Sequence, residues 1–315
     1  MIFFIHMQKH ISKIKKVVAN AGLISEEKIT LSRVEAGVTN QVYFVMEDST
    51  PKLVARIYGN NLDALIDRDY ENELLPYLNK YGIGPKIILN NDEYRIESFI
   101  KGATDLSPGS YQAQLATELR RFHNIPILNS NKNFWSRLDG WILKTNPPYQ
   151  TEFNALSAFL NNDDISAEIN KTLHLNEIVL GHGDLCLDNI MVSEDLNINL
   201  IDFEYSCNMP RAFDIANHLC EYNGLIIKKD SYPDENIRKY FIESYLGDEK
   251  KYEDRDLQLV DLYSLISHYQ WGCWGLIMKD FNDQFDYDVY AKSRFDLFKH
   301  YYETFFMSDS KKIIV

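Results

Sequence analysis

The chain of 315 residues has few cysteines, few glycines and fewer basic than acidic residues. Its four cysteines form no close Cys-x-x-Cys pair, which argues against a zinc site and favours reduced thiols in a cytoplasmic protein. Since the sequence lacks a run of about 18 apolar residues, we expect no stable insertion into a membrane. With 33 basic residues against 46 acidic ones, a nucleic-acid partner is not expected, because Lys and Arg supply most of that affinity.

The rest of the composition is typical of a globular protein. Hydrophobic residues make up 45% and charged residues 25%, which permits a sizeable core. The length allows two domains or one large two-lobed unit. A formal net charge of −13 is compatible with a small cationic substrate, although such acidity more often serves solubility alone.

A β-rich first third precedes a mainly helical remainder. A helix is predicted over 8–20 and another over 62–81. Short β-branched and aromatic runs predict two strand pairs in the first third and three strands later: 41–46 with 52–58, 87–89 with 94–100, then 178–180, 190–192 and 198–201. This order predicts an α+β fold of the two-lobed, protein-kinase-like kind, with a β-rich N-terminal lobe and a mainly α C-terminal lobe. The lobes are predicted at 1–101 and 102–315, with the active site in the cleft between them.

Two short motifs in the second half indicate phosphoryl transfer. His182-x-Asp184 with Asn189 downstream, followed by a short strand and Asp202, has the layout of a kinase catalytic loop and a metal-binding aspartate. Asp184 is the predicted catalytic base, while Asn189 and Asp202 are predicted to offer oxygens to Mg²⁺. Each residue alone would more often form a turn or a helix cap, so the prediction depends on their joint order. His182 is predicted to bond the backbone around the loop.

The same chemistry requires residues that bind ATP, and candidates lie in the first third. The segment 35–40 falls between predicted strands, where a phosphate-covering loop belongs. Arg56 stands where kinases place a strand-borne cation, and Glu71 on the next helix is its expected ion-pair partner. The segment 97–100 is predicted to link the lobes and to contact adenine through its backbone. The candidate nucleotide-binding residues are Gly37, Thr39, Asn40, Arg56, Glu71, Glu97, Ser98 and Ile100.

These motifs, with others, resemble the choline/ethanolamine kinases. The resemblance runs from about Val34 to about Phe298 and rests on motifs that include Asp67-Arg68-x-x-Glu71, Gly84-Pro85-Lys86, Ile201-Asp202-Phe203-Glu204-Tyr205, Arg211-Ala212-Phe213-Asp214-Ile215-Ala216-Asn217-His218 and Trp271-Gly272-x-Trp274-Gly275. It implies a kinase-like fold and phosphorylation of an amino alcohol with ATP and Mg²⁺. Two residues depart from the family pattern. Gly183 stands where members usually carry Asn, and Ala36 stands where a second Gly is usual.

The acceptor site is predicted to be aromatic and acidic. A quaternary ammonium has no hydrogen-bond donor and is best held by aromatic faces with a carboxylate nearby. Trp271 and Trp274 have a spacing that puts them on one face of a long helix. Without the resemblance, such a pair would more often be core packing. The resemblance assigns Glu221, Trp271, Trp274, Phe285 and Tyr290 to the amino-alcohol site, and Asp184 and Glu204 are further candidates for binding the substrate.

The choice between choline and ethanolamine stays open at this point. Phe203 and the run Cys220-Glu221-Tyr222 look more like choline kinases, so choline is favoured, and an ethanolamine-selective kinase is the alternative. A non-catalytic protein that binds amine or nucleotide is less well supported, because it would not need Asp184, Asn189 and Asp202 together. The tryptophan pair speaks against an antibiotic phosphotransferase. Since members of the resembled family are often dimers, a homodimer is a further hypothesis.

Overall fold

The computed structural model describes residues 2–34, 39–59, 62–104, 107–129, 131–161, 174–222, 232–281 and 285–307, without the side chains of 2–9, 108 and 249. The chain divides into two compact units. The first consists of Met1–Leu62 and Leu75–Lys101, and the second of Asp63–Leu74 and Gly102–Val315. The nucleotide-binding and acceptor-binding roles predicted for the two lobes stay predictions.

The first unit is built on a five-stranded antiparallel sheet. Its strands lie in the order β1-β2-β3-β5-β4. Their bounds are Ile29–Val34 for β1, Asn40–Glu47 for β2, Thr50–Tyr58 for β3, Ile87–Asn90 for β4 and Tyr94–Ser98 for β5. The predicted hairpin between β2 and β3 is confirmed. Asp48 and Ser49 form its turn with φ values of 48° and 66°, the left-handed pair that a tight type I′ hairpin needs.

The core of this unit lies between one sheet face and helix α1, Ile2–Asn20. The helix predicted over 8–20 is confirmed and begins earlier. Alternate residues of the strands point into the core, as the two-residue period of a half-buried strand requires. The buried residues of this core are Ile14, Val18, Ile24, Ile29, Tyr43, Val45, Leu53, Ala55 and Ile96.

Helix α2 runs from Arg68 to Asn79 and begins later than the predicted residue 62. Asp67 explains the difference, because its Oδ1 accepts a hydrogen bond from the Tyr70 amide at 3.0 Å. Such an N-terminal cap satisfies an amide that has no partner within the helix, so it fixes where the helix starts. The residues of α2 up to Leu74 belong to the second unit, and those from Leu75 onward belong to the first.

The second unit is mainly helical, as predicted. Its elements are α3 Gln112–His123, α4 Phe134–Thr145, α5 Gln150–Leu160, β6 Ile178–Gly181, β7 Ile190–Val192, β8 Ile198–Leu200, β9 Cys207–Pro210, α6 Arg211–Cys220, α7 Glu235–Leu246, α8 Asp254–Met278 and α9 Tyr287–Tyr301, which a π-helical turn at Tyr302–Phe306 extends. Strand β9 was not predicted. It is short, ends in proline and lacks an alternating pattern.

Two antiparallel strand pairs and two buried helices frame the second half of this unit. Strand β6 pairs with β9, and β7 pairs with β8. Every residue of α6 is buried, and α8 is buried along most of its length. Since a helix buried on all sides contacts neighbours all round, its polar side chains must find partners inside the protein. Within the described ranges, no helix has the length and apolar character needed to cross a membrane.

Candidate active site

The predicted catalytic loop follows β6 and closes through a short 3₁₀ turn at Leu187–Asn189. Asn189 donates through Nδ2 to the backbone oxygen of Asp184 at 2.8 Å and to its carboxylate Oδ2 at 2.9 Å. The amide nitrogen of Asn189 is therefore committed to Asp184, which leaves its Oδ1 as the end that can bind a cation. The structure brings the predicted base and one predicted metal ligand into direct contact.

His182 lies inside the loop, and its ring bonds backbone atoms. Its Nε2 lies 2.9 Å from the Ile201 oxygen, and its Nδ1 lies 3.3 Å from the Asp184 amide nitrogen. The pair of contacts fits a neutral ring that donates from Nε2 and accepts at Nδ1. Burial lowers the pKa of His182, which agrees with a neutral ring. Its predicted role in bonding the loop backbone is confirmed.

Asp214 on α6 fixes the same loop through its carboxylate. Its carboxylate accepts hydrogen bonds from the amides of His182 and Gly183, the latter at 2.7 Å, and from His123 Nε2 at 3.0 Å. Burial alone would raise the pKa of Asp214, but the bond from His123 and the neighbouring groups hold it below its usual value. The carboxylate therefore remains charged and fixes two successive amides of the loop.

Gly183 is required by the geometry of this loop. Its φ is +81°, and a Cβ at this position would lie 2.2 Å from the Tyr205 carbonyl oxygen. That oxygen also accepts from Arg137 Nη1 at 2.5 Å, so it is held in place. A side chain here would meet both a left-handed backbone and a fixed carbonyl. Glycine, in place of the family's usual Asn, therefore allows the backbone at position 183 to lie close to the Tyr205 carbonyl.

Asp202 directly follows β8 and its neighbour Ile201. The Ile201 amide donates to the Asn189 oxygen at 3.0 Å, which ties the two predicted metal-binding segments together. Asp202 has a φ of 66°, an uncommon left-handed conformation for a residue other than glycine. Such conformations persist where surrounding structure over-determines them, and they cluster at functional sites.

Asp184 lies in a strongly acidic environment. Burial raises its pKa well above the usual range, and the charges of Glu221, Asp202 and Glu204 raise it further, against the bond from Asn189. Carboxylates that repel one another in this way favour the binding of cations between them. The arrangement suits a site that receives both a cationic substrate and a metal ion.

Trp271 and Trp274 on α8 form an edge-to-face pair with ring centres 5.6 Å apart. Trp271 donates through Nε1 to Asn217 Oδ1 at 2.7 Å, and Trp274 donates to the Tyr205 hydroxyl at 2.7 Å. Tyr205 in turn lies edge-on to Trp271 at 5.5 Å. Both indole nitrogens are thus satisfied, which leaves the ring surfaces as the apolar part of the site.

Tyr290 and Phe285 extend the same aromatic group. The Tyr290 ring lies 5.8 Å from Trp274 and 5.6 Å from Phe285. Tyr290 is buried at 9% exposure, whereas Phe285 is 50% exposed. Gly275 permits this packing, because a Cβ there would already lie 3.1 Å from the Tyr290 ring. Helices α8 and α9 therefore approach closely beside Trp274.

The two predicted glutamates of the acceptor site each have a cationic partner. Glu204 Oε2 lies 3.2 Å from Arg68 Nη1, and the same nitrogen lies 2.6 Å from Glu71 Oε2. Glu221, which ends α6, pairs through Oε1 with Arg294 Nη2. The charges of both glutamates raise the pKa of Asp184.

The predicted nucleotide-binding residues of the first unit lie on its sheet and at strand ends. Asn40 begins β2 and donates to Thr39 Oγ1 at 3.3 Å. Arg56 on β3 donates to Glu97 Oε1 at 2.9 Å across the sheet, and both side chains are buried. Ser98 ends β5 and accepts from the Lys86 amide at 2.9 Å.

The nucleotide-binding roles of all these residues stay predictions. Gly37 lies outside the described residues. Ile100 is half-buried just beyond β5, and its contact with adenine stays a prediction. The predicted pair of Arg56 with Glu71 also stays a prediction.

Comparison with known proteins decides the family. The family model described as choline/ethanolamine kinase matches residues 31–299. The chain belongs to the choline/ethanolamine kinase family. It is 34% identical to a protein described as probable choline kinase 3 of Arabidopsis thaliana, with 85% of each chain covered. It is 29% identical to a probable ethanolamine kinase of the same plant, over 90% of this chain and 83% of that one.

The fold agrees with that assignment. A crystal structure of choline kinase from Cryptosporidium parvum is similar with a TM-score of 0.76, at 24% identity, over 96% of this chain and 97% of that chain. The predicted kinase-like fold is therefore confirmed. As a member of this family, the chain is a phosphotransferase that uses ATP to phosphorylate choline or ethanolamine.

The structure of this family member adds residues to which the motifs alone gave no role. Asp214, Asn217 and His218 lie on α6 at the spacing that puts them near one another along the helix. They bond the loop amides, Trp271 and the Leu185 oxygen respectively. Polar residues at this spacing within an otherwise apolar run could have signalled buried anchors. Arg294 carried no sequence signal beyond its place one turn after Tyr290.

Proposed function

We propose that this kinase transfers the γ-phosphoryl group of ATP to the hydroxyl of choline in preference to ethanolamine. The observation that carries the proposal is the group of four rings, Tyr205, Trp271, Trp274 and Tyr290, packed edge-to-face in the unit that contains Asp184. The negative face of an aromatic ring attracts a desolvated cation. A trimethylammonium group offers only methyl surface, so rings suit it better than hydrogen-bond acceptors do.

Asp184 is proposed as the catalytic base. As the hydroxyl oxygen of choline forms its bond to the γ-phosphorus, the bond from that phosphorus to the β,γ-bridging oxygen breaks, and ADP leaves with that electron pair. The proton of the hydroxyl passes to the Asp184 carboxylate. The bond from Asn189 Nδ2 to Asp184 Oδ2 fixes the orientation of the carboxylate, which leaves Oδ1 to receive the proton.

Asn189 and Asp202 are proposed to hold Mg²⁺. Their oxygens are the hard ligands that this ion prefers, and the repulsion among Asp184, Asp202 and Glu204 favours a cation here. Within the described ranges, no three His, Cys, Asp or Glu side chains are grouped to hold a metal. An Mg²⁺ ion held by one or two protein ligands takes its other oxygens from nucleotide phosphates and water. When bound, Mg²⁺ would neutralise charge on the phosphates.

The nucleotide itself is proposed to bind to residues of the first unit. Arg56 is held rigidly, because its Nε donates to Glu97, which also accepts from Arg95 at 2.8 Å. A guanidinium fixed in this way can meet phosphate oxygens without losing side-chain freedom. Thr39 and Asn40 belong with Gly37 to the proposed phosphate loop at 35–40. Ser98 and Ile100 belong to the segment 97–100, whose backbone is proposed to contact adenine.

Ethanolamine is the second candidate, and one observation favours it. Glu221 Oε2 is buried and has no hydrogen-bond partner among the described residues. A primary ammonium could donate to that oxygen, whereas choline could only lie against it. The higher identity to a probable choline kinase, 34% against 29%, and the aromatic surface support choline.

A coupled ADP-release assay on the purified protein tests the proposal. Choline and ethanolamine are compared at saturating ATP, with and without Mg²⁺. We expect turnover to require Mg²⁺ and kcat/KM to be higher for choline. A higher kcat/KM for ethanolamine would reverse the substrate assignment. Turnover of neither amine would contradict the proposed function as a whole.

A further inference from the structure

Arg294 is a fully buried cation beside the acceptor site. It lies on α9, one turn after Tyr290, with 0% exposure. Its guanidinium carbon lies 5.0 Å from the centre of the Tyr290 ring. Burial opposes its charge, but Glu221 and Tyr290 hold the pKa of Arg294 above its usual value. A buried charge of this kind persists only when it is paired.

The guanidinium has two partners, and together they fix its plane. Nη2 donates to Glu221 Oε1, and Nη1 lies 3.3 Å from His268 Nδ1 on α8. Burial first, and the charge of Arg294 second, lower the pKa of His268 well below its usual value. His268 is therefore a neutral ring that accepts from Arg294. The side chain of Glu221 is consequently attached to both α8 and α9 through one planar group.

This arrangement leaves Glu221 with one oxygen to offer. Oε1 is occupied by Arg294, while Oε2 is buried and has no partner among the described residues. The Arg294 guanidinium that holds Glu221 lies against the Tyr290 ring, and that ring contacts Trp274. The Glu221 carboxylate therefore adjoins the aromatic rings. Because Arg294 pairs with Glu221, its positive charge partly offsets the attraction of this carboxylate for a cationic ligand.

We propose that Arg294 is a positioning residue that sets the choice of acceptor by holding Glu221 with a single oxygen free beside the aromatic rings. The inference rests on the proposed function. A quaternary ammonium needs only weak attraction from Oε2, because the rings hold it. A primary ammonium has three donors to satisfy and would be better served by both oxygens of an unpaired carboxylate. Arg294 therefore favours choline over ethanolamine.

Replacement of the arginine tests this. In Arg294→Gln we expect the KM for choline to rise about tenfold while the KM for ATP stays unchanged, and the ethanolamine-to-choline ratio of kcat/KM to rise. Arg294→Lys keeps the charge but cannot bridge Glu221 and His268, so a smaller shift of the same sign is expected. If Arg294→Gln fails to fold, the lysine variant gives the same ratio.

Arg238→Gln is the matched control. Arg238 is also buried, at 7% exposure, and pairs with Asp261 on α8 at 2.8 Å, so its loss destabilises the fold in a similar way. An unchanged amine ratio in both Arg294 variants, or an equal change in Arg238→Gln, would overturn the proposal.

Choline binding is measured in parallel through the fluorescence of the tryptophans. Wild-type protein that binds choline without turning it over would contradict the proposed function, yet weaker binding in Arg294→Gln would still support the positioning role. Equal binding in wild type and variant would overturn it.

Discussion

The catalytic loop and the aromatic wall are held by different kinds of contact. The loop is fixed by hydrogen bonds of its backbone, since two of its amides donate to Asp214 and the Leu185 oxygen accepts from His218. The wall, formed by Trp271, Trp274, Phe285 and Tyr290, is held mainly by edge-to-face ring contacts. Hydrogen bonds demand particular atoms, whereas ring contacts tolerate related shapes. Substitutions in the loop should therefore cause large losses of turnover or stability, whereas substitutions in the aromatic wall should weaken choline binding in smaller steps.

Replacement of Asp184 is expected to have the largest effect, which is on kcat. In Asp184→Ala we expect kcat to fall by about 10²–10⁴-fold, because the base that accepts the hydroxyl proton is gone. ATP should still bind, which a calorimetric titration measures. Asp188→Ala is the control, since Asp188 lies exposed in the same loop. Near-normal turnover in Asp184→Ala would remove this residue from its proposed role.

The loop geometry gives the second prediction. Gly183→Ala should lower the free energy of unfolding by about 3 kcal/mol, because the new Cβ meets the Tyr205 carbonyl as well as a left-handed backbone. Gly82→Ala measures the loss of stability that comes from the left-handed backbone alone. Gly82 has a φ of 68° with nothing within 4 Å of a new Cβ, so only about 1 kcal/mol is expected there. Urea unfolding of both variants measures the difference, and equal losses would contradict the steric argument.

These two regions also differ in how far the sequence predicted them. The order of His182, Asp184, Asn189 and Asp202 predicted the loop, because phosphoryl transfer requires those residue types along a short stretch of chain. The anchors of the loop were harder to predict. Asp214 acts on amides far from it in sequence, and only the packing of α6 beneath the loop shows which groups it bonds.

For the aromatic wall, the sequence predicted which rings lie together but not the groups that bond them. The spacing of Trp271 and Trp274 predicted a shared helix face, yet only the fold shows that Asn217 and Tyr205 accept from their indoles.

The first residue of helix α2 was also predicted wrongly from the sequence. Its apolar pattern extends over 62–81, but the cap at Asp67 decides that the helix begins at Arg68.

Acidification should lower the stability of the protein through protonation of His218, whose ring bonds the Leu185 oxygen of the loop. Burial lowers the pKa of His218 to about 4, against an ordinary value of 6.5. The unfolded chain then binds the proton more readily, so stability is fully present above pH 6.5 and is lost as the pH falls toward 4. Between pH 7.5 and pH 5, this residue should remove about 2 kcal/mol of stability.

Comparison with His218→Gln measures that contribution. The other buried histidines are present in both proteins, so their effects cancel when the two pH dependences are subtracted. We expect the free energy of unfolding of the wild type to fall more steeply with acid than that of the variant. Parallel curves would show that His218 does not carry the effect.

The smallest expected effects belong to the wall, and their order tests whether it weakens by degrees. Trp274→Leu should raise the KM for choline by about tenfold, as a desolvated cation–π contact contributes about 1–2 kcal/mol. Phe285→Leu should raise it by about threefold or less, because Phe285 is 50% exposed and such contacts are weaker in water. In both variants kcat should change little, since the ammonium is held alike before and during transfer. Steady-state kinetics with choline measures both effects. A larger loss in Phe285→Leu than in Trp274→Leu would mean that the exposed end of the wall, rather than its buried end, holds the ammonium group.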